Sequence, residues 1–192
     1  MPRPTRSEIN AEIIDRAAGL FAKHGFEHTS IQQIADAVRY SKAGLLHHYP
    51  SKKAIYDAVI KALGEHTRAI LANVDHLAVG VERDRAVVEA SVDFAFDCPG
   101  VSALSNRIAA TEHTVDPELG EIGLIFYAAL GIDLAKLELD RIIRVTTAFS
   151  GLSVTAVQAV QTGQAREWRG YIIDAAMDAL GHRTSVIAED RV

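Results

Sequence analysis

Cysteine is almost absent from this sequence. Cys98 stands alone, so no intrachain disulfide can form and a disulfide-stapled secreted scaffold is excluded. Long apolar runs are missing too. The longest, Ile122 to Ile132, is far too short to cross a bilayer. The opening residues, Met1 to Glu8, hold no apolar stretch of the kind a signal peptide needs, so a reduced cytoplasmic compartment is expected. Enzyme motifs are also lacking. There is no Walker loop, no dinucleotide glycine pattern and no HExxH. The nearest approach to a nucleophile elbow, Gly151 to Thr155, lacks its second glycine and sits in a helical pattern. Basic excess is absent overall: 20 Lys and Arg face 25 Asp and Glu, for a net charge of −5. Taken whole, that balance argues against a nucleic-acid partner.

What is present makes an ordinary globular chain. Its 192 residues are 48% hydrophobic and 23% charged, which is too apolar for a disordered polymer. The charge is unevenly spread. Residues 1–53 carry eight Lys and Arg against five Asp and Glu, or +3. The remaining twelve bases and twenty acids give −8. A basic head on an acidic body points to an anionic partner for the head alone.

Helical periodicity runs along almost the whole chain, and no alternating strand pattern persists. Ser7 is expected to open a first helix that ends at Gly25. Ser30-Ile31-Gln32-Gln33 reads as a capping box for a short second helix. Ser41 caps a third, which ends near Tyr49 because Pro50 disfavours helix before it. Ser51 caps a longer fourth. Further helices are expected at about 52–79, 82–97, 101–113, 117–131, 138–162 and 165–181, broken at Gly80, Pro99-Gly100, Asp116-Pro117 and Gly163.

Two short helices joined by a tight turn, behind a longer first one, are the layout of a helix-turn-helix DNA reader. Short helices are marginal alone. Ile31, Ile34, Ala35, Val38 and Leu45 can hold these two against Leu20 and Phe21. The third helix then offers Lys42, Ala43, Gly44, His47 and His48 to the major groove and its phosphates. A phosphate beside His47 or His48 would make binding tighten below about pH 6.5.

The residues that carry this layout resemble the tetracycline-repressor (TetR) family. The segments are Leu20 to Phe26, Thr29 to Ala35 and Ser41 to Lys52, in order and without a gap. The resemblance implies an all-α homodimer, with three N-terminal helices on operator DNA and variable C-terminal helices around a small inducer. Carried over residue by residue, the DNA-binding set is Arg3, Arg6, Ser30, Gln32, Gln33, Tyr40, Ser41, Lys42, Ala43, Gly44, His47, His48, Tyr49 and Lys52. Three positions depart from the family pattern. Arg39 replaces a usual turn glycine, and Gly44 and Leu46 replace a usual Thr and Tyr that hold phosphates.

In the body, Ile142, Val145, Phe149, Leu152, Ala156 and Val160 form one stripe, and Trp168, Ile172, Ala175 and Ala179 another. The resemblance puts a four-helix dimer interface here; by periodicity alone both stripes could equally be internal core. Candidate lining for an inducer pocket is Leu63, His66, Phe94, Phe96, Arg107, Ile108, Phe126, Tyr127 and Phe149, with Glu112 and His113 as further polar groups. Adjacent Glu112 and His113 diverge on a helix, so no metal site is expected. No cofactor and no membrane partner is expected either. Cys98 reads as a buried structural thiol.

The resulting expectation is a DNA-binding domain over residues 1–53 and a ligand-binding and dimerisation domain over 54–192. Together they would form a repressor that binds a pseudo-palindromic operator and is released by a small molecule. The alternatives are control by a protein partner instead, or a helical enzyme.

Overall fold

A computed structural model describes residues 5–111, 117–136 and 138–182. These residues form an all-α fold. Its helices are α1 (Arg6–His24), α2 (Ile31–Ala37), α3 (Lys42–His48), α4 (Lys52–Val74), α5 (Val81–Asp97), α6 (Pro99–Thr111), α7 (Pro117–Ala129), α8 (Leu139–Gln161) and α9 (Ala165–Leu180), with a 3-10 turn at Leu134–Lys136.

Helix starts follow side-chain chemistry. The Ser30 hydroxyl accepts from the Gln33 amide at 3.2 Å, and the Gln33 side chain accepts from the Ser30 amide at 2.7 Å. The Ser41 and Ser51 hydroxyls cap α3 and α4 by accepting from the Gly44 and Ala54 amides, each at 3.0 Å. The first helix begins earlier than expected. Thr5, not Ser7, is its cap, because Glu8 sits three residues on and closes a capping box with Thr5. Gly25, at φ 85°, ends it.

The turn between α2 and α3 is a Schellman closure. The Tyr40 amide donates to Ala35 and the Arg39 amide to Asp36, at 2.9 and 3.1 Å. That geometry puts Arg39 at φ 59°, the left-handed conformation in which a Cβ is costly. Arg39→Gly is expected to stabilise the chain by about 1 kcal/mol, read by urea unfolding.

Two buried clusters organise the packing. The first joins Ile13, Ala17 and Phe21 of α1 to Ile34, Leu45, Ile55 and Val59, and reaches Val101 and Leu104 of α6. The second joins Val87, Val88 and Val92 of α5 to Ala148, Leu152, Ala156, Ile173 and Met177. Helix α4 belongs to both, through Leu63 to the first and through Ile70 and Val74 to the second.

The expected break at Pro99-Gly100 is instead the start of α6. Proline suits a first helical position, where an amide would go unused. The next two amides are satisfied from α1: Gly100 and Val101 both donate to Asp15 Oδ1, at 2.7 and 3.1 Å. A carboxylate there also meets the positive end of the helix. Burial pushes the Asp15 carboxyl up, while the Val101 and Gly100 amides pull it back. Farther along α6, Arg107 Nη1 donates to the Ala22 carbonyl at 2.8 Å. Helix α6 is thus tied to α1 at two points.

Candidate nucleic-acid interface and ligand cavity

The head presents a small exposed polar face around α3. Lys42, Ala43 and His47 are exposed on it, as are Ser30, Gln32, Gln33 and Ser41 nearby. Ser30, Gln33 and Ser41 are engaged as caps, and the Gln32 amide donates to Asp36 at 2.7 Å. Arg6 is exposed in the first turn of α1. Arg3 lies outside the described residues.

Other candidate contacts are structurally committed. His48 faces α1, its Nδ1 lying 3.1 Å from Asn10 Oδ1, and its ring packs 5.7 Å from Tyr40. His47 is the outward member of the pair. Tyr49 is half-buried, and that burial pushes its phenol up. Lys52 Nζ donates to the Phe26 carbonyl at 2.7 Å and sits 4.2 Å above the Phe26 ring. Its ammonium closes the loop after α1 before it meets any phosphate. Gly44 is fitted rather than merely tolerated: a Cβ there would come within 3.2 Å of the capping Ser41 hydroxyl and 3.5 Å of Tyr40.

The body holds a cavity of about 370 Å³, within the ordinary range for small-molecule sites. Leu63, His66, Phe94, Ile108, Phe126, Tyr127 and Phe149 are on its wall. Two expected residues are elsewhere. Phe96 packs against the second cluster, and Arg107 turns to α1 because the exposed Ala22 carbonyl at the end of that helix is in reach. Glu112 and His113 lie outside the described residues. The His66 ring stacks on Phe94 at 3.7 Å, and burial pushes its pKa down to about 4. Among the described residues no group of three His, Cys, Asp or Glu is placed to hold a metal ion. Cys98 is half-buried, and burial, then the nearby Asp15 and Asp97 charges, push its thiol up, away from a reactive thiolate.

The His66 shift has a consequence for stability. A folded imidazole at about 4 against an unfolded one at 6.5 means that the unfolded state takes up the proton first as pH falls. Stability is therefore lost from about pH 6.5 downward to about 4. Allowing for partial exposure, wild type is expected to lose about 1–2 kcal/mol between pH 7 and 5 through this group, and His66→Phe to abolish that share of the loss. Urea unfolding at the two pH values measures it.

Residues 13–59 match the family model for bacterial regulatory proteins of the tetR family. The head belongs to the TetR family. Over 60 residues it is 37% identical to the biofilm operon icaADBC HTH-type negative transcriptional regulator IcaR of Staphylococcus aureus (strain Newman), covering 31% of this chain and 32% of that protein. Over 97 residues the chain is 28% identical to the HTH-type transcriptional repressor KstR2 of Rhodococcus jostii (strain RHA1), covering 48% of this chain and 44% of that one. The chain thus spans less than half the length of these curated relatives. The fold as a whole is shared more widely. A TetR-like transcriptional regulator from Rhodococcus sp. RHA1 superposes with a TM-score of 0.54 at 18% identity, over 94% of this chain and all of that one. Mycobacterium smegmatis AmtR gives 0.51 at 20% identity, over 96% and 90%.

Behind the TetR-family head, the stripes expected to meet a second subunit are largely turned inward. Val145, Leu152, Ala156 and Ile172 are buried within the chain, and Ile142, Phe149, Val160, Trp168 and Ala179 are half-covered; Ala175 is exposed. The richest apolar stripe of each helix packs against its own chain, since that burial is available without a partner. The outward apolar side chains of α8 and α9 are Leu139, Ile143, Val154 and Tyr171, which are 50–79% exposed. Beside them Trp168, Tyr171 and Ala175 line a shallow groove with Thr155.

Apart from His66 and Tyr127, the polar side of the cavity wall was missed. Thr67, Ser91, Ser102, Ser105, Asn106, Thr146, Ser150 and Ser153 line it. A hydroxyl on a helix looks alike in sequence whether it faces water or a cavity, and only the i, i+4 pairs Ser102/Asn106 and Thr146/Ser150 hinted at a shared face.

Proposed function

We propose that this chain is a transcriptional regulator that binds an operator as a dimer and releases it when a small molecule fills the body cavity. Residues 1–53 would make the DNA contact, and 54–192 would bind ligand and partner subunit. The observation that carries the reading is the double role of α6. Its Ser102, Ser105, Asn106 and Ile108 line the cavity, while its Gly100, Val101 and Arg107 are bonded to α1 of the head. A ligand that shifts α6 must therefore push on the helix behind the DNA-reading pair. Helix α4, common to both clusters, offers a second link.

The mechanism is a shift of population. The free dimer samples a spacing of recognition helices that fits two half-sites about 34 Å apart. A ligand that prefers another spacing lowers operator affinity by its differential affinity for the two states. The outward faces of α8 and α9 are the surface we assign to the second copy. A small-molecule signal is preferred to a protein one because the body is hollow rather than closed. No catalytic role is proposed. No described helix is long and apolar enough to cross a membrane, and we place the protein in the cytoplasm with the DNA it would read.

Selecting bound duplexes from a random pool tests the reading. A palindromic consensus is the expected result; failure to enrich any duplex would overturn it. With the selected duplex, Lys42→Ala is expected to weaken binding about tenfold and to flatten the dependence of log affinity on log salt by about one unit. Lys52→Ala, which opens the loop after α1, is expected to weaken all duplexes alike. Loss of specific binding only would contradict that assignment.

A further inference from the structure

We propose that the cavity takes an uncharged, oxygen-bearing lipophile: a compact hydrocarbon skeleton carrying hydroxyl or keto groups. This rests on the body being the ligand-responsive part of a regulator, and it names the class of ligand.

The polar groups on the wall divide in two. Thr67 donates to the Leu63 carbonyl and Ser91 to that of Val87, at 2.9 and 2.8 Å. Ser102 and Ser153 lie 3.1 Å apart and satisfy each other. These four are spoken for. By contrast, the polar ends of His66, Ser105, Asn106, Tyr127, Thr146 and Ser150 meet no hydrogen-bond partner among the described residues. They come from α4, α6, α7 and α8, so they converge on the space from different sides. Neutral His66 offers one donor and one acceptor, and Asn106 offers both as well. An occupant with hydroxyl or carbonyl oxygens can pair with them.

The charge of the occupant follows from what the wall lacks. No Lys, Arg, Asp or Glu is among the described residues that line the cavity. His66 is stacked flat on Phe94 and held neutral by its burial. A carboxylate or phosphate would meet no cation among these described wall residues to offset its desolvation. An ammonium would find no carboxylate among the described wall residues. Nor would it find an open aromatic cage, since Phe126 and Phe149 face each other edge-on at 4.8 Å and the Phe94 ring is already covered by His66. A bare hydrocarbon would fill the apolar share of the wall but strip water from the six free polar groups and return nothing.

Matched probes on one skeleton separate these cases. Binding of 2-acetonaphthone, 2-naphthol, naphthalene, 2-naphthoate and 2-naphthylmethylammonium to the full chain is measured at pH 7.5 by fluorescence titration. The keto and hydroxyl compounds are expected to bind at least about tenfold tighter than either ion and severalfold tighter than naphthalene. The double variant His66→Phe/Asn106→Leu keeps the ring stack and the volume but removes two hydrogen-bonding ends. It is expected to erase the advantage over naphthalene while leaving naphthalene itself within about threefold. Equal or tighter binding of the carboxylate or the ammonium would overturn the inference, as would failure of every probe to bind. Release of the selected duplex is scored separately. Neutral probes that bind without releasing it would sink the regulatory reading and leave the ligand class standing.

Discussion

Gly100→Ala is expected to cost about 3 kcal/mol or more in urea unfolding and to weaken duplex binding along with it. A Cβ at Gly100 would press into the backbone carbonyl oxygen of Asp15 and stand 2.8 Å from the Gly19 amide nitrogen. Neither neighbour is a flexible side chain that could swing aside. Relief requires α6 to back away from α1. That movement also stretches the Gly100 and Val101 amide bonds to Asp15, now 2.7 and 3.1 Å. The crossing is close because two glycines meet in it, yet they are not equivalent. A Cβ on Gly19 would lie 3.7 Å from the Gly100 Cα, which is ordinary contact. Gly19→Ala should therefore be tolerated within about 1 kcal/mol, consistent with the good helix propensity of alanine. If both substitutions cost the same, the crossing is looser than described and α6 is a poor lever on the head.

The elements that were legible in the sequence are those held by local chemistry. The starts of α2, α3 and α4 follow from Ser30, Ser41 and Ser51, whose capping bonds span three residues. The strained Arg39 could be read from one side chain standing where a left-handed turn wants none. What was not legible depends on distant partners. Pro99-Gly100 looks like a break until Asp15, 85 residues earlier, caps it. The stripes of α8 and α9 show their apolar periodicity but not which face a partner would see, because an inward and an outward stripe obey one period. Lys52 reads as a free cation, and only the fold brings Phe26 beneath it. The polar cavity wall falls in the same class. So does the burial of Arg83 and Asp84 at the start of α5, which no local pattern marks.

Asp84 gives the other large expected effect. It is 1% exposed and accepts from two helix ends at once. Arg141 Nη2, in the first turn of α8, lies 2.7 Å from Oδ1, and His182 Nε2, just past α9, lies 2.7 Å from Oδ2. Its neighbour Arg83 donates to the Ala128 and Ala129 carbonyls at the end of α7 and to Leu77, at 2.7–2.9 Å. One turn of α5 thereby holds the ends of three other helices. Asp84→Ala removes the shared acceptor and leaves the Arg141 guanidinium, only 22% exposed, without it. Breaking a buried pair from one side costs about 3–5 kcal/mol; partial exposure of both donors puts the expectation at about 3. Removing the cation as well should restore part of the loss, since an apolar pair of similar volume can substitute for a buried ionic one. Asp84→Ala/Arg141→Met is therefore expected to be more stable than the sum of the two single losses predicts, with a coupling of about 1–2 kcal/mol in a double-mutant cycle. Strict additivity would mean that the two side chains act independently. Asp84 would then owe its burial to packing of α5, not to the helix ends it contacts.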